Sequence, residues 1–192
     1  MSIKSDMWIK EKSQEGMISP FIEESIESSV ISYGVSSYGY DARCGNSFYQ
    51  IPEFSEIKGL PYIIDPKSFI KEYWKEYKAN KKGIFILNKR TFVLTYTLES
   101  FFIPRDVFCL VTLKSTYARC GLIMSPTTLE PEWNGQITLE LFNSTNHDVL
   151  LYPNEGIVQI VFMGSDTPCL KSYLDKKGKY QNQSGVTFPK IK

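Results

Sequence analysis

Two short stretches of the sequence bring together residue types that can hold an anion and move protons. Residues 114–121 read KSTYARCG and supply an ammonium group, two small hydroxyls and a guanidinium group. Residues 136–142 read QITLELF and place one carboxylate, Glu140, among apolar neighbours. Together these groups could bind a polyphosphate and transfer protons beside it.

The strand-like pattern of residues 136–142 predicts the direction of the Glu140 side chain. One face would carry Ile137, Leu139 and Leu141, and the other Gln136, Thr138, Glu140 and Phe142. A carboxylate with apolar neighbours loses hydration, so its pKa rises unless a cation such as Arg119 compensates. That tuning suits a general acid–base catalyst. The open alternative is a solvated carboxylate in a salt bridge.

Lys114, Ser115 and Thr116 directly follow an apolar strand-like run. Their hydroxyls, ammonium group and backbone N–H groups could converge where the strand ends and form a phosphate cradle. No G-x-x-x-x-G-K-[ST] or G-x-G-x-x-G motif occurs, which sets aside P-loop and Rossmann sites. Ser or Thr in this position is also typical of a helix cap.

The elements that must position these groups are mostly strands. Apolar and β-branched runs predict strands at 84–87, 92–98, 107–113, 136–142 and 156–162. Short strands separated by turns favour a sandwich or barrel over a βαβ arrangement. Capping and charge patterns predict a helix over 5–15 and a surface helix over 66–78. Residues 32–43 suit a turn that enters a strand, and residues 48–64 read as irregular.

Composition limits the partners. At 192 residues and 42% hydrophobic content, the chain suits one domain, and 22 basic against 21 acidic residues create no field that points to nucleic acid or an anionic membrane. No apolar run is long enough for a membrane span and no signal peptide begins the chain, so we expect a soluble cytoplasmic protein. Four dispersed cysteines read as buried or partly buried free thiols, and His147 as a solvated loop residue.

Several longer motifs occur in a characteristic order. They are SYG at 32–34, SSYGYD at 36–41, KSTYARCG at 114–121, LEPEW at 129–133, ITLE at 137–140, NEG at 154–156 and GKYQ at 178–181. Together they resemble bacterial dCTP deaminase nearly from end to end. Motifs of this length and order are far more specific than any one triplet.

The resemblance implies a mainly β, dUTPase-like fold, a distorted β-barrel or jelly-roll with a few short helices. It implies a homotrimer with active sites between subunits, and a single domain over 1–192 whose residues 174–192 form a lid. The implied activity is hydrolytic deamination of dCTP to dUTP and ammonia, which supplies dUTP for dUMP and thymidylate synthesis. Magnesium would accompany the triphosphate.

The resemblance also implies residue roles. Glu140 would be the general base and acid, while Ser115 and Arg119 would orient the water and the carboxylate. The residues implied to bind substrate are Lys114, Ser115, Thr116, Tyr117, Ala118, Arg119, Trp133, Thr138, Leu139, Glu140, Gln159, Tyr173, Lys179 and Gln183. No zinc is implied, and the H-x-E and P-C-x-x-C signature of zinc deaminases is indeed absent from the sequence.

The sequence departs from the family pattern at two places. Leu113 replaces a usual glycine, and SPTT at 125–128 replaces a usual asparagine-valine-threonine-proline loop near the base. The second change leaves inhibition by dTTP open.

Two alternative functions also stay open: a bifunctional enzyme that also hydrolyses dUTP to dUMP, and a non-catalytic, nucleotide-binding regulator of the same fold.

Overall fold

The computed structural model describes residues 2–52 and 63–191, which contain two α-helices and fourteen β-strands. The helices are α1 (Asp6–Gln14) and α2 (Ser115–Arg119). The strands are β1 (Ser2–Ile3), β2 (Ile18–Ser19), β3 (Gly34–Ser36), β4 (Gly39–Arg43), β5 (Ser47–Gln50), β6 (Lys75–Lys78), β7 (Phe85–Leu87), β8 (Phe92–Phe102), β9 (Val107–Leu113), β10 (Leu122–Met124), β11 (Thr127–Leu129), β12 (Asn134–Asn143), β13 (Val149–Leu151) and β14 (Gly156–Gly164).

Two large sheets and one small sheet organise these strands. The first, sheet A, has the order β11-β9-β14-β4-β3, with β1 also paired to β14. The second, sheet B, has the order β10-β12-β8-β5-β6, with β2 also paired to β8. Strands β13 and β7 form the small, two-stranded sheet. Among the described residues, the pairs between these strands are antiparallel, which confirms the predicted mainly β class without βαβ units.

The inner faces of sheets A and B share one hydrophobic core. Sheet A contributes Val111, Ile160 and Phe162, all 0% exposed, and sheet B contributes Leu139 and Leu141, also 0% exposed. Burying side chains of this size is the main favourable term in folding, at about 1.5–3 kcal/mol each. Buried and partly buried residues alternate along β12, which confirms the predicted alternation and places Glu140 on the outer face.

The predicted strands and the first helix agree closely with the structure. The strands over 84–87, 92–98, 107–113, 136–142 and 156–162 correspond to β7, β8, β9, β12 and β14. The helix predicted over 5–15 is α1, which buries Ile9 completely and packs Trp8 against Phe162 at a centroid distance of 6.2 Å. Gly16 follows at φ +97°, a conformation that ends a helix readily with glycine.

The surface helix predicted over 66–78 is wrong. This segment contains only one 3₁₀ turn, Lys71–Tyr73, followed by β6. β6 pairs with β5, which would otherwise be an unpaired edge of sheet B, and this pairing outweighs the local helical charge pattern. The prediction of irregular structure over 48–64 is also wrong at its start, since β5 reaches Gln50; residues 53–62 lie outside the described residues.

The predictions for cysteine and histidine are mostly confirmed. All four thiols are free, and Cys44 and Cys109 are buried while Cys169 is partly buried. Cys120 is exposed, against prediction, because it follows α2 at the surface. His147 lies in an exposed turn. Among the described residues, no helix is both long and apolar enough to cross a membrane.

The Asn143 side chain connects the end of β12 to the neighbouring turns by hydrogen bonds. The side chain is 0% exposed, and its amide nitrogen donates to the carbonyls of Leu87, Asn88 and His147 at 2.8–3.1 Å. Its amide oxygen accepts from the backbone N–H and the hydroxyl of Thr145. One buried amide thus satisfies main-chain groups that water cannot reach.

We expect Asn143→Leu to lower the free energy of unfolding by roughly 2–4 kcal/mol, because several buried polar groups lose their partners. Chemical denaturation measures this change. The control is Asn146→Ala on the next turn, whose exposed side chain accepts one bond from Arg90. It should change stability by less than about 0.5 kcal/mol. Equal effects of the two substitutions would contradict this role.

Candidate active site

Glu140 lies on the outer face of sheet B, half-buried between two core residues of its own strand. Its neighbours along the chain, Leu139 and Leu141, point into the core, and Leu94 of β8 lies opposite it. Burial raises the pKa of the Glu140 carboxyl. Within residues 2–52 and 63–191, no Lys or Arg forms an ion pair with it. The solvated salt bridge considered as an alternative is therefore not formed in the protomer.

A large cavity of about 990 Å³ opens beside Glu140. Five of the predicted site residues line it: Trp133, Thr138, Glu140, Tyr173 and Gln183. The rest of the lining is mainly aromatic and aliphatic, with Lys89 and Arg90 as cations and Glu130 as a second carboxylate. The volume is at the upper end of the usual range for small-molecule pockets. The arrangement can enclose a ligand while presenting one poorly hydrated carboxylate to it.

The C-terminal tail reaches the cavity because it completes the edge of β12. Among the described residues, β10 pairs only with residues 141–143 of β12, and no named strand pairs with the earlier part of that edge. Gln183 fills it, accepting from the Gln136 N–H at 2.9 Å and donating through its side-chain amide to the Gln136 carbonyl at 3.0 Å. Further along, the Thr187 N–H donates to the Thr138 hydroxyl at 3.0 Å. Buried main-chain groups need such partners.

Gly135 permits this close approach. Its φ is +136°, and a Cβ there would lie 2.6 Å from the Gln183 backbone nitrogen. Tyr173 fixes the start of the tail, since its hydroxyl accepts from the Tyr180 N–H at 2.9 Å. Lys179 does not line the cavity; its ammonium group donates to the Lys190 carbonyl. The structure thus places Tyr173 and Gln183 at the cavity and Lys179 outside it.

The basic element at 114–119 lies elsewhere in the protomer. Lys114 precedes α2, and its ammonium group donates to Asp41 at 2.6 Å and to Ser32 at 3.0 Å. Ser115, Ala118 and Arg119 are exposed. Thr116 lines a second cavity of about 780 Å³ that does not include Glu140. The predicted contact of Arg119 with Glu140 is therefore not made within one protomer.

Gln159 belongs with this second group. It lies on β14 opposite both Asp41 of β4 and Thr112 of β9, on the outer face of sheet A. Two predicted residues can offer only main-chain atoms to a ligand, because their side chains are in the core: Leu139 is 0% exposed and Tyr117 is 2% exposed. The Tyr117 hydroxyl instead accepts from the Tyr152 N–H.

Sequence reasoning missed the residue that holds Lys114. Asp41 is 8% exposed, and burial raises the pKa of its carboxyl even though the Lys114 ammonium group opposes that shift. Its Oδ1 atom is buried and has no hydrogen-bond partner within residues 2–52 and 63–191. Asp41 belongs to the SSYGYD motif, so the signal was present, but nothing in the spacing connects it to residue 114. In the described part of the chain, no three His, Cys, Asp or Glu side chains are grouped as a metal site.

Comparisons with known proteins agree on one family. The family model described as "dCTP deaminase-like" matches residues 3–165. A dCTP deaminase of Helicobacter pylori strain Shi470 is 48% identical over 192 residues, covering 100% of this chain and 99% of its own. A dCTP deaminase of Acidobacterium capsulatum is 48% identical over 191 residues, covering 100% of both chains.

One solved structure shows the same fold. The crystal structure of a 2'-deoxycytidine 5'-triphosphate deaminase from Agrobacterium tumefaciens aligns with a TM-score of 0.60 and 15% identity. The alignment covers 83% of this chain and 47% of that longer chain. The predicted distorted β-barrel or jelly-roll is therefore confirmed as a fold.

The ion pair of Asp41 and Lys114 predicts a measurable coupling. Asp41→Asn alone should lower the free energy of unfolding by roughly 1–3 kcal/mol, because it leaves a mostly buried ammonium group without its charged partner. Lys114→Met should do the same, and the double variant should be more stable than the sum of the two predicts. Denaturation at one protein concentration measures all three.

The exposed pair of Lys12 and Glu15 provides the control. Glu15→Gln should change stability by less than about 0.5 kcal/mol. Strictly additive effects at positions 41 and 114 would show that the pair has no energetic coupling.

Proposed function

The chain belongs to the dCTP deaminase-like family, and we propose that it catalyses the hydrolytic deamination of dCTP to dUTP and ammonia beside Glu140. The observation that carries the proposal is the half-buried Glu140 carboxylate, which has a raised pKa and lies on the wall of a cavity large enough for a nucleotide. A carboxylate tuned in this way can both accept and return a proton near neutral pH.

In the proposed mechanism Glu140 moves protons in two stages. The carboxylate accepts a proton from a water molecule as the water oxygen attacks C4 of the cytosine, and it passes that proton to N3. The resulting tetrahedral intermediate carries a hydroxyl and the amino group on C4. Glu140 then transfers the hydroxyl proton to the amino nitrogen, the C4–N bond breaks, and ammonia leaves. The carboxylate ends the cycle ionised, and uracil has formed.

The residues beside Glu140 would hold the nucleotide. Thr138 lies on the same face of β12, two residues away, and offers a hydroxyl to the base or sugar. Trp133 and Tyr173 line the cavity as apolar walls. Leu139 would contribute main-chain atoms only. An apolar wall with few polar groups is typical of small-molecule sites, where it strengthens each hydrogen bond that does form.

A second copy of the chain would complete the site. Ser115 and Arg119, proposed to orient the water and the carboxylate, are exposed and lie away from Glu140 in their own protomer. Both residues lie in α2, which directly follows strand β9 of sheet A. The outer face of that sheet carries an apolar row formed by Phe108, Leu110 and Val161. Such a face is suited to burial against another subunit. We therefore propose a homotrimer in which each site combines the Glu140 cavity of one subunit with the basic element of another.

The basic element would bind the triphosphate. Lys114, Ser115, Thr116 and the main chain of Tyr117 and Ala118 form the proposed cradle, with Gln159 at its side. Magnesium would enter on the triphosphate, since this hard cation prefers phosphate oxygens and keeps several waters. Gln183 and Lys179 lie on the tail that we propose as a lid over the nucleotide. We place the reaction in the cytoplasm, and dTTP, which shares the deoxynucleoside triphosphate group, is a proposed competitor.

We expect Glu140→Gln to lower kcat for dCTP by at least about 10³-fold, because the amide cannot accept the proton. The Kd for dCTP, measured by calorimetry, should stay within about threefold of wild type. Ammonia release in a coupled assay measures turnover. Glu11→Gln, an exposed substitution on α1, is the matched control and should leave kcat unchanged. Turnover near the wild-type level in Glu140→Gln would rule out this mechanism.

Mixing two inactive variants tests the shared site. Glu140→Gln and Arg119→Ala chains, unfolded and refolded together, should regain activity, because about one site in four then combines an intact Glu140 with an intact Arg119 from a neighbour. Each variant refolded alone should stay inactive. If the mixture is also inactive although mixed trimers form, the two groups do not meet between subunits.

A further inference from the structure

The segment 63–78 has no part in the proposed chemistry, yet it presents aromatic side chains to the cavity. Ile64, Phe69 and Trp74 all line the cavity beside Glu140. The rings of Phe69 and Trp74 lie 5.8 Å apart, and Trp74 contacts Phe92 of β8 edge-on at 6.1 Å. A charged surface segment that turns its aromatic residues inward needs something apolar to pack against.

Phe188 of the tail supplies that contact. Its ring lies 5.3 Å from Tyr49, 5.5 Å from Phe69 and 5.8 Å from Trp74, measured between centroids. The Lys71 ammonium group lies 5.5 Å from the same ring, within the range of a cation–π interaction. We call Tyr49, Phe69 and Trp74 the aromatic cage. Phe188 thus joins the tail to three rings that belong to β5 and to the segment 63–78.

The aromatic cage is connected to the cavity wall that carries Glu140, both through the tail and through sheet B. Residue 187, next to Phe188, donates its N–H to the hydroxyl of Thr138, which is two residues from Glu140 on the same face. Opposite Glu140 lies Leu94, and opposite Leu94 lies Tyr49 of the cage. The tail therefore crosses the cavity beside Glu140 and reaches the cage, whose Tyr49 lies on β5, two strands from β12 in sheet B.

We propose that Phe188 and the aromatic cage are positioning residues that hold the tail closed over Glu140 before any nucleotide binds. This inference rests on the proposed function for its catalytic meaning, but the anchoring is a property of the free protein. Without the anchor, closure would have to come from the nucleotide. The apparent affinity would then equal the affinity of the closed form multiplied by the fraction of free chains that are closed. Segment 63–78 would thus increase the apparent affinity for dCTP by holding the tail in the closed position.

Hydrogen exchange of the free protein tests the anchor without any nucleotide. Phe188→Ala should speed the exchange of residues 185–190 by roughly tenfold or more, since the loss of three ring contacts weakens closure by at least that factor. Val186→Ala, on the same tail but outside the aromatic contacts, is the matched control and should change exchange by less than about twofold. Phe188→Leu should restore protection in part.

The cage side provides an independent variant. Trp74→Ala should loosen the same residues. The double variant with Phe188→Ala should exchange no faster than the more affected single variant, because Phe188→Ala already removes the contact that Trp74 makes with the tail. If the two effects multiply, or if tail exchange is unchanged in Phe188→Ala, the aromatic cage does not anchor the tail.

Steady-state kinetics connects the anchor to the reaction. Phe188→Ala should raise KM for dCTP roughly tenfold while kcat falls less than about threefold, because the occupied site still closes. A fall in kcat with unchanged KM would overturn the positioning role. If wild-type protein does not deaminate dCTP, the proposed function fails, whereas the exchange result still decides whether Phe188 anchors the tail.

Discussion

The pairing of β12 with β8 is the constraint on which the site depends. It turns Leu139 and Leu141 into the core, so Glu140 between them must lie on the outer face and cannot move away from the apolar surface around it. Burial then raises the pKa of this carboxyl, and no cation of the same protomer offsets the effect among the described residues. A carboxylate with a raised pKa is thus a consequence of strand alternation and core packing.

The same strand explains why the site needs parts from far along the chain. β12 has an edge that β10 covers only over residues 141–143, and Gln183 and Thr187 of the tail bond to the earlier part. The tail therefore forms one wall of the cavity as a consequence of main-chain hydrogen bonding. The basic element instead belongs to sheet A, where Asp41 holds Lys114 in place. The Glu140 cavity and the basic element thus lie in different parts of the protomer, and the proposed trimer would join them.

Local sequence patterns predict those structural features that depend on neighbouring residues alone, such as the burial of one strand face. Strands β8, β9, β12 and β14 bury one face, so their alternation was readable, and so was the outward direction of Glu140. Residues 66–78 carry helical signals, but a free edge at β5 and the aromatic contacts of Phe69 and Trp74 decide their structure, and neither appears in the local sequence. Spacing likewise could not show that Arg119 and Glu140 belong to different parts of the protomer, or that Asp41 would pair with Lys114.

Analysis of the reaction products shows whether this protein deaminates dCTP without zinc. Purified protein is incubated with dCTP and magnesium in the presence of a zinc chelator, the nucleotides are separated by ion exchange, and released ammonia is assayed. We expect dUTP and an equal amount of ammonia, since the proposed mechanism activates the water with a carboxylate in an apolar wall. Formation of dUMP and pyrophosphate, or no product at all from folded protein, would contradict it.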